Sequence, residues 1–148
     1  MSRRKLLLRL LIAVALAIAI TGCSKKSPSE DSTASKWTIG MSQCNLGEPW
    51  RVQMNADIKQ AADKRPELKV TFKDAQNDTL KQRSQMEEFI SAGVDLIIIS
   101  PKEAAPLTPV VEQAHEKSIP VIILDRAVLT DKYTCFIGAN NKKIGKAA

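Results

Sequence analysis

The segment of residues 119–126, Ile-Pro-Val-Ile-Ile-Leu-Asp-Arg, constrains the fold most, because its apolar residues follow one another without polar alternation. A run of this kind is typical of a strand buried on both faces, as in a parallel sheet covered by helices. Ligands of open α/β sheets bind just outside the carboxyl ends of the strands. The sequence therefore predicts that Asp125 and Arg126, which end the run, lie at a functional edge of such a sheet.

Strand and helix signals alternate from Trp37 onward. The predicted strands are Thr38–Ser42, Leu68–Phe72, Asp95–Ser100, Ile119–Arg126 and Tyr133–Gly138, and the predicted helices are 50–64, 79–92, 106–117 and 142–148. Parallel neighbours need right-handed crossovers that place helices on both faces of the sheet. This order predicts an α/β fold, a doubly wound parallel sheet in three α/β/α layers. The last helix has only about two turns, so we expect the fold to be incomplete at the C-terminus.

The helical period also predicts which side chains face the sheet. In the helix 79–92 it places Leu80, Met86, Phe89 and Ile90 inward and Gln82 and Gln85 outward. In the helix 50–64 it places Trp50 on the inward stripe and Arg51 on another face. Asp78 is expected to cap the second helix and Gly93 to end it.

Residues 1–22 combine a basic start, an apolar stretch and small residues before Cys23, which is typical of a secretory signal. The ending Ile-Thr-Gly-Cys resembles the bacterial lipobox, and we expect Cys23 to be lipidated. The polar segment up to residue 36 is expected to be a flexible tether. Four of the positive charges lie within the first nine residues, so the net charge of +6 is largely that of the signal and does not indicate nucleic-acid binding.

The loops after strands one, four and five are expected to share one sheet edge. They carry Gln43, Asn45, Glu48, Trp50, Arg51, Asp125, Arg126, Asn140 and Asn141. Carboxylates accept hydrogen bonds from hydroxyls, guanidinium and amide groups donate them, and an indole covers an apolar ring face. This set predicts a site for a neutral polyhydroxylated ligand. Each residue also has a structural alternative: Asp125 as a local cap, Arg126 and Arg51 as solvated or paired surface cations, Trp50 as a core contact, and Asn140 as a turn former.

Other chemistries find little support in the sequence. The single histidine, His115, lies late in a helix and away from the predicted edge, and neither G-x-G-x-x-G nor H-E-x-x-H occurs, so we predict neither an enzyme nor a cofactor. Cys44 and Cys135 lack metal-ligand spacing, so no metal site is expected. We expect Cys44 on a loop to be a free thiol and Cys135 in a strand to be a buried one, with a disulfide as the less favoured alternative.

Several segments together resemble the sugar-binding proteins of bacterial ABC importers of the ribose and galactose type, and specifically their N-terminal lobe. They are Ile39–Gln43, Pro49–Arg51, Asp74–Asn77, Ala92–Pro101 and Ile119–Arg126. The Pro-Trp-Arg sequence at residues 49–51 resembles the galactofuranose-binding branch. The resemblance covers 37–148 and implies the type I periplasmic binding protein fold.

The resemblance implies that Asp125 and Arg126 bind sugar hydroxyls and that Trp50, Arg51, Gln43 and Glu48 contribute from the first loop. Related proteins often have aspartate where this chain has Asn140, so the identity of the sugar stays open. The implied partners are a monosaccharide, pentose or hexose and including furanose forms, an ABC permease and, through Cys23, the outer face of the cell membrane. A sensory module that signals to a chemoreceptor or sensor kinase is the alternative function. Family members close two lobes over the sugar, so one lobe alone is expected to bind weakly.

Overall fold

A computed structural model describes residues 36–147 of the chain. The predicted signal peptide, Cys23 and most of the predicted tether lie outside the described residues. The elements are β1 (Trp37–Gln43), α1 (Pro49–Asp63), β2 (Leu68–Asp74), α2 (Thr79–Ala92), β3 (Leu96–Ser100), α3 (Ala104–Glu116), β4 (Val121–Leu124), β5 (Cys135–Ile137) and α4 (Asn141–Ala147). All strand pairs are parallel, and the sheet order is β2-β1-β3-β4-β5. The predicted doubly wound α/β fold is confirmed.

The apolar core lies on both faces of the sheet. On one face Ile97, Ile99 and Ile123 pack with the apolar side chains of α2 and α3. On the other face Met41, Ile98 and Leu124 pack with Met54 and Ile58 of α1. Alternation of successive strand residues between the two faces explains why three consecutive isoleucines in β3 serve both clusters. The uninterrupted apolar runs in the sequence follow from this burial on two sides.

Strand register brings the polar strand ends together. Gln43, the last residue of β1, is level with Asp74 at the end of β2 and with Ser100 at the end of β3. The segments that follow these strands therefore begin at one edge, which is here called the carboxyl edge. The opposite edge, where the strands begin, is the amino edge.

Local signals set the limits of α2. The side chain of Asp78 accepts hydrogen bonds from the backbone N–H groups of Leu80 and Lys81, and Gly93 ends the helix in a left-handed conformation with φ of 64°. Both predictions are confirmed. The helix lies so close to β1 that a Cβ atom on Gly40 would be 2.5 Å from Cγ of Phe89. Glycine at position 40 is thus required by the close approach of a helix to the sheet.

Five predicted side-chain directions are wrong, including that of Trp50, which is 46% exposed. Leu80 is 77% exposed, whereas Gln82, Gln85 and Arg51 are buried. The reason is that one side of the first turn of α1 and of the first two turns of α2 lies against the carboxyl edge, where strands end in polar groups that need hydrogen-bond partners. An amide or a guanidinium satisfies those groups, and an isoleucine or leucine does not.

Predictions for the last two strands need correction as well. The run at 119–126 forms a strand only at Val121–Leu124, because Ile119 donates its N–H to Ala114 O in the turn after α3 and Asp125 has a positive φ. β5 is limited to three residues. The predicted burial of Cys135 is wrong: both thiols are free, but Cys44 is the buried one and Cys135 is exposed, since β5 is an edge strand of the sheet.

Candidate ligand-binding site

A buried guanidinium group organises the carboxyl edge. Arg51 is 2% exposed, and its Nη1 donates to Oε1 of Gln43 at 3.2 Å and to Oγ of Ser100 at 2.9 Å. Its Nη2 donates to Oδ2 of Asp125 at 3.2 Å, and its Nε donates to Oε2 of Glu48 at 3.0 Å. Arginine has five N–H donors in a fixed planar fork, and four of them are engaged here. Arg51 thereby joins the ends of β1, β3 and β4 to the first turn of α1.

The start of α1 explains how Arg51 reaches this position. Pro49 occupies the first helical turn, where its lack of an N–H has no cost and its fixed φ suits the helix. Glu48 lies at the N-cap without a side-chain cap bond, and its carboxylate instead pairs with Arg51 three residues later. The Arg51 guanidinium carbon lies 4.0 Å from the centroid of the Trp50 ring, a cation–π contact. Trp50 remains 46% exposed, so its predicted core position is wrong.

Asp125 is held in an unusual backbone conformation. Its φ is +67°, a region that costs a non-glycine residue about 1 kcal/mol, although aspartate tolerates it better than most residues. Its N–H donates to Ile137 O at 2.8 Å, which fixes the residue to the end of β5. The side chain is 33% exposed and paired with Arg51. Such strain persists where the surroundings determine the conformation, and it is common in binding sites.

Arg126 is the exposed counterpart of Arg51. Its side chain is 54% exposed, and its Nη1 donates to Lys102 O at 2.8 Å. The side chain borders two open hollows. One, of about 570 Å³, is also lined by Asp125, Phe136, Gly138, Ala139, Asn140 and Lys142. The other, of about 600 Å³, is also lined by Asn45, Leu46, Gly47, Glu48, Asp74, Gln76 and Asn77.

The other predicted site residues fall into two groups. Gln43 is fully buried beneath the edge, where its Oε1 accepts from Arg51 and from the N–H of Cys44. Glu48 and Asn140 line the hollows, and Asn140 also accepts a hydrogen bond from the N–H of Lys143 at the start of α4. The turn-forming role of Asn140 is therefore observed together with its place at the hollow. The side chain of Asn141 lies outside the described residues.

The residues that follow β2 and β3 also reach the site, although no site role was predicted for them from the sequence. Gln76 and Asn77, with φ of 54° and 62°, line the second hollow, and Ser100 accepts from Arg51. The topology could have indicated these residues, since the carboxyl ends of all parallel strands meet at one edge. The polar loop at 74–78 and the Ser-Pro at 100–101 follow two of those strands.

The arrangement suits hydrogen bonding to a neutral polar ligand. At the hollows Asp125 offers carboxylate oxygens and Arg126 offers guanidinium donors, while the exposed Trp50 ring lies against Arg51 and is not among the residues that line either hollow. Residues 36–147 contain no group of three or more side chains arranged to hold a metal ion. Within the same range no helix is long and apolar enough to cross a membrane. Hydrogen-bonding side chains that border open hollows at the carboxyl edge of a parallel sheet are typical of the ligand-binding lobe of a substrate-binding protein.

Comparison with known families agrees with this class. Residues 39–148 match the model of the periplasmic binding protein domain, and the chain belongs to this family. It is 34% identical over 134 residues to the ribose import binding protein of Bacillus subtilis strain 168, covering 87% of the chain and 44% of that relative. It is 31% identical over 141 residues to the galactofuranose-binding protein of Escherichia coli strain K12, covering 93% and 42%.

Solved structures give the same picture. The fructose-binding periplasmic domain of a hybrid two-component system superposes with a TM-score of 0.71 and 45% identity, covering 75% of the chain and 37% of that domain. The chain thus spans less than half the length of the curated relatives it matches. The predicted resemblance to an N-terminal lobe of a type I periplasmic binding protein is confirmed.

Proposed function

We propose that this chain supplies the N-terminal lobe (37–148) of a substrate-binding lipoprotein that captures a monosaccharide outside the membrane and presents it to an ABC permease. The family is one of exported proteins, and the named relatives bind ribose and galactofuranose. The proposed site residues are Asp125, Arg126, Trp50, Arg51, Asn140, Gln43 and Glu48, of which Arg51 and Gln43 are buried. Of these, Asp125 and Arg126 grip hydroxyl groups directly, and Arg51 and Gln43 act from beneath.

One observation carries the proposal: Asp125 is fixed at the end of β4 by a buried arginine, next to an exposed arginine. Arg51 holds one carboxylate oxygen at 3.2 Å, while a third of the side chain stays exposed. A carboxylate positioned in this way accepts hydrogen bonds from two neighbouring hydroxyls at little further entropic cost. Arg126, over half exposed, supplies donors between the two hollows. The hydroxyl groups of a polyol would therefore find the Asp125 carboxylate as an acceptor and the Arg126 guanidinium as a donor in the same place.

The test is a thermal-shift screen of pentoses and hexoses, furanose-forming sugars included, on a full-length version of the protein. A ligand at about 100 times its Kd is expected to raise the Tm by roughly 5 °C or more. Asp125→Ala should abolish this rise and leave an unliganded folded protein. Asp63→Ala is the matched control, because Asp63 is an exposed acid paired with Lys59 on α1. A sugar-induced rise that persists in D125A refutes the site.

A specific observation favours the sensory alternative. The structure with 45% identity is the periplasmic domain of a hybrid two-component system. In that case the sugar-bound form signals to a receptor or kinase and no permease takes part. Transporter genes beside the coding sequence favour import, and a sensor kinase gene beside it favours sensing.

Membrane attachment through Cys23 is a separate part of the proposal, together with a signal at residues 1–22 and a tether up to residue 36. Lipidation of the cysteine would keep the lobe at the outer face of the membrane. Cys23→Ser is expected to move the protein from washed membranes to the soluble fraction. Cys135→Ser is the control, since Cys135 is an exposed free thiol in the folded lobe. Membrane association of C23S in washed fractions refutes the anchor.

A further inference from the structure

Two buried glutamines on α2 lie three residues apart, and only one of them contacts the turn on which the site arginines rest. Gln82 is fully buried and Gln85 is 5% exposed. A buried amide is costly unless its donor and acceptor both find partners. Both glutamines are satisfied at the carboxyl edge, but by different groups: Gln82 pairs with backbone groups, and Gln85 pairs with the Ser42 hydroxyl and one backbone carbonyl. The difference separates a role in the site from a role in the fold.

Gln82 bridges the two residues that flank Pro101. Its Oε1 accepts from the N–H of Lys102 at 2.9 Å, and its Nε2 donates to the carbonyl of Ser100 at 2.9 Å and, at the longer distance of 3.5 Å, to the carbonyl of Ser42. Proline has no N–H, so the chain at this point lacks one of the backbone donors that usually hold a turn. The side-chain amide of Gln82 pairs with the groups on either side instead. It fixes the turn Ser100–Lys102.

Both arginines of the candidate site are hydrogen-bonded to this turn. Arg51 donates to Oγ of Ser100 at 2.9 Å, and Arg126 donates to the carbonyl of Lys102 at 2.8 Å. The two guanidinium groups come from different elements, α1 and the segment after β4. Both groups therefore depend on the three-residue turn Ser100–Lys102, which Gln82 holds in place.

We propose that Gln82 is a positioning residue of the ligand site: it holds the Ser100–Lys102 turn and thereby orients Arg51 and Arg126. The consequence for sugar binding rests on the proposed function, whereas the orientation of the arginines does not. A site needs its side chains held within a fraction of an ångström, and a buried, fully hydrogen-bonded neighbour supplies that constraint. Gln82 touches no ligand in this role.

Gln85 provides the matched control. Its Oε1 accepts from Oγ of Ser42 at 2.9 Å, and its Nε2 donates to the carbonyl of Asp74 at 2.9 Å. It has the same chemistry, the same helix and nearly the same burial as Gln82. Its partners belong to β1 and β2 and do not include the Ser100–Lys102 turn. Methionine is close in shape to glutamine, so Gln82→Met and Gln85→Met each remove one buried amide without opening a large cavity.

The experiment measures rotation of the arginine side chains in a full-length protein labelled with ¹⁵N-arginine. Exchange between the two Nη signals reports rotation about the Nε–Cζ bond, and Arg51→Lys and Arg126→Lys assign the signals. We expect rotation to be about tenfold faster for Arg51 in Q82M, and faster for Arg126, because hydrogen bonds to charged groups are among the stronger ones. In Q85M both rates should stay at wild-type values, while urea unfolding shows similar destabilisation of the two variants.

The outcomes separate this proposal from the proposed function. Equal arginine rates in Q82M and Q85M overturn the positioning role, whatever any sugar does. If the thermal-shift screen finds a sugar, Q82M should lose most of its sugar-induced Tm rise and Q85M should keep it. A screen without a hit counts against the proposed function and leaves the rotation rates to decide the role of Gln82. Should Q82M fail to fold, the shorter Gln82→Asn and Gln85→Asn pair is measured in the same way.

Discussion

The two edges of the sheet differ in the burial of their polar side chains. Within residues 36–147 every buried polar or charged side chain lies at the carboxyl edge or in the helical turns packed against it. They are Ser42, Gln43, Arg51, Gln82, Gln85 and Ser100. At the amino edge the polar contacts stay in water, as with Asp95, which accepts from Thr38, and with the pair Lys59–Asp63 at the end of α1.

This difference in burial between the two edges indicates the role of the buried polar groups. Removing a charge from water is expensive, and apolar side chains of the same volume often stabilise a fold as well or better. At the carboxyl edge the network is almost completely paired, since Thr79 Oγ1 is the single buried side-chain polar atom without a partner in the described part of the chain. A satisfied polar network fixes geometry. Within this network Arg51, Ser100 and Gln82 fix the positions of Asp125 and Arg126, at some cost in stability.

The largest expected effect comes from removing the cation at the centre of the network. Arg51→Met would leave Gln43, Ser100 and Asp125 without their shared donor. We expect a loss of about 3 kcal/mol in the free energy of unfolding, the low end for breaking a buried ion pair, because Asp125 is one-third exposed. Urea denaturation monitored by tryptophan fluorescence measures the loss.

Lys59→Met is the matched variant from outside the network. The pair Lys59–Asp63 has a distance of 2.7 Å and two side chains that are 60% or more exposed. We expect a change of less than about 0.5 kcal/mol, as is usual for exposed helix pairs. Similar losses in R51M and K59M would break the comparison between the edges.

A smaller effect is expected from adding one methyl group beside the site. A Cβ atom on Gly138 would meet the Phe136 ring and would lie 2.8 Å from the backbone oxygen of Asp125. The ring can move, but the backbone oxygen belongs to the strained residue that presents the carboxylate. We expect Gly138→Ala to lower the free energy of unfolding by about 1 to 2 kcal/mol and to reduce any sugar-induced Tm rise.

Gly145→Ala is the control for the same chemical change. Nothing lies within 4 Å of a Cβ atom at this position in α4. Alanine favours a helix over glycine by about 0.5 to 1 kcal/mol, so G145A should be neutral or slightly stabilising and should leave sugar binding intact. If G138A behaves like G145A, the position of Asp125 is not sensitive to its neighbours.

The contrast between edges also explains what the sequence could predict. Apolar runs and helical periods depend on burial of apolar surface, and they predicted the five strands, their parallel arrangement and the placing of Asp125, Arg126 and Glu48 at the edge. The helical period wrongly placed Gln82, Gln85 and Arg51 on the solvent-facing sides of their helices, because an amphipathic pattern assumes that polar side chains face water. At the carboxyl edge the partners of a helix are backbone carbonyls and a carboxylate. The need of these groups for polar partners becomes visible only from the register of strands that are distant in sequence, for example from Gln43 lying beside Ser100.

The smallest effect tests the amino edge, where polar groups stay exposed. Hydrogen bonds from the Thr38 backbone N–H at 2.7 Å and from its hydroxyl at 2.8 Å lower the pKa of Asp95 below its usual value of 3.8. A lowered folded-state pKa adds stability that is present above pH 3.8 and is lost as the pH falls through the folded-state value. The difference in unfolding free energy between wild type and Asp95→Asn should therefore shrink on acidification from pH 6 to pH 3. Because the carboxylate is exposed, added salt should weaken the effect. A difference that grows on acidification would contradict the sign, and one that salt leaves unchanged would mean that this edge, too, shields its charges from water.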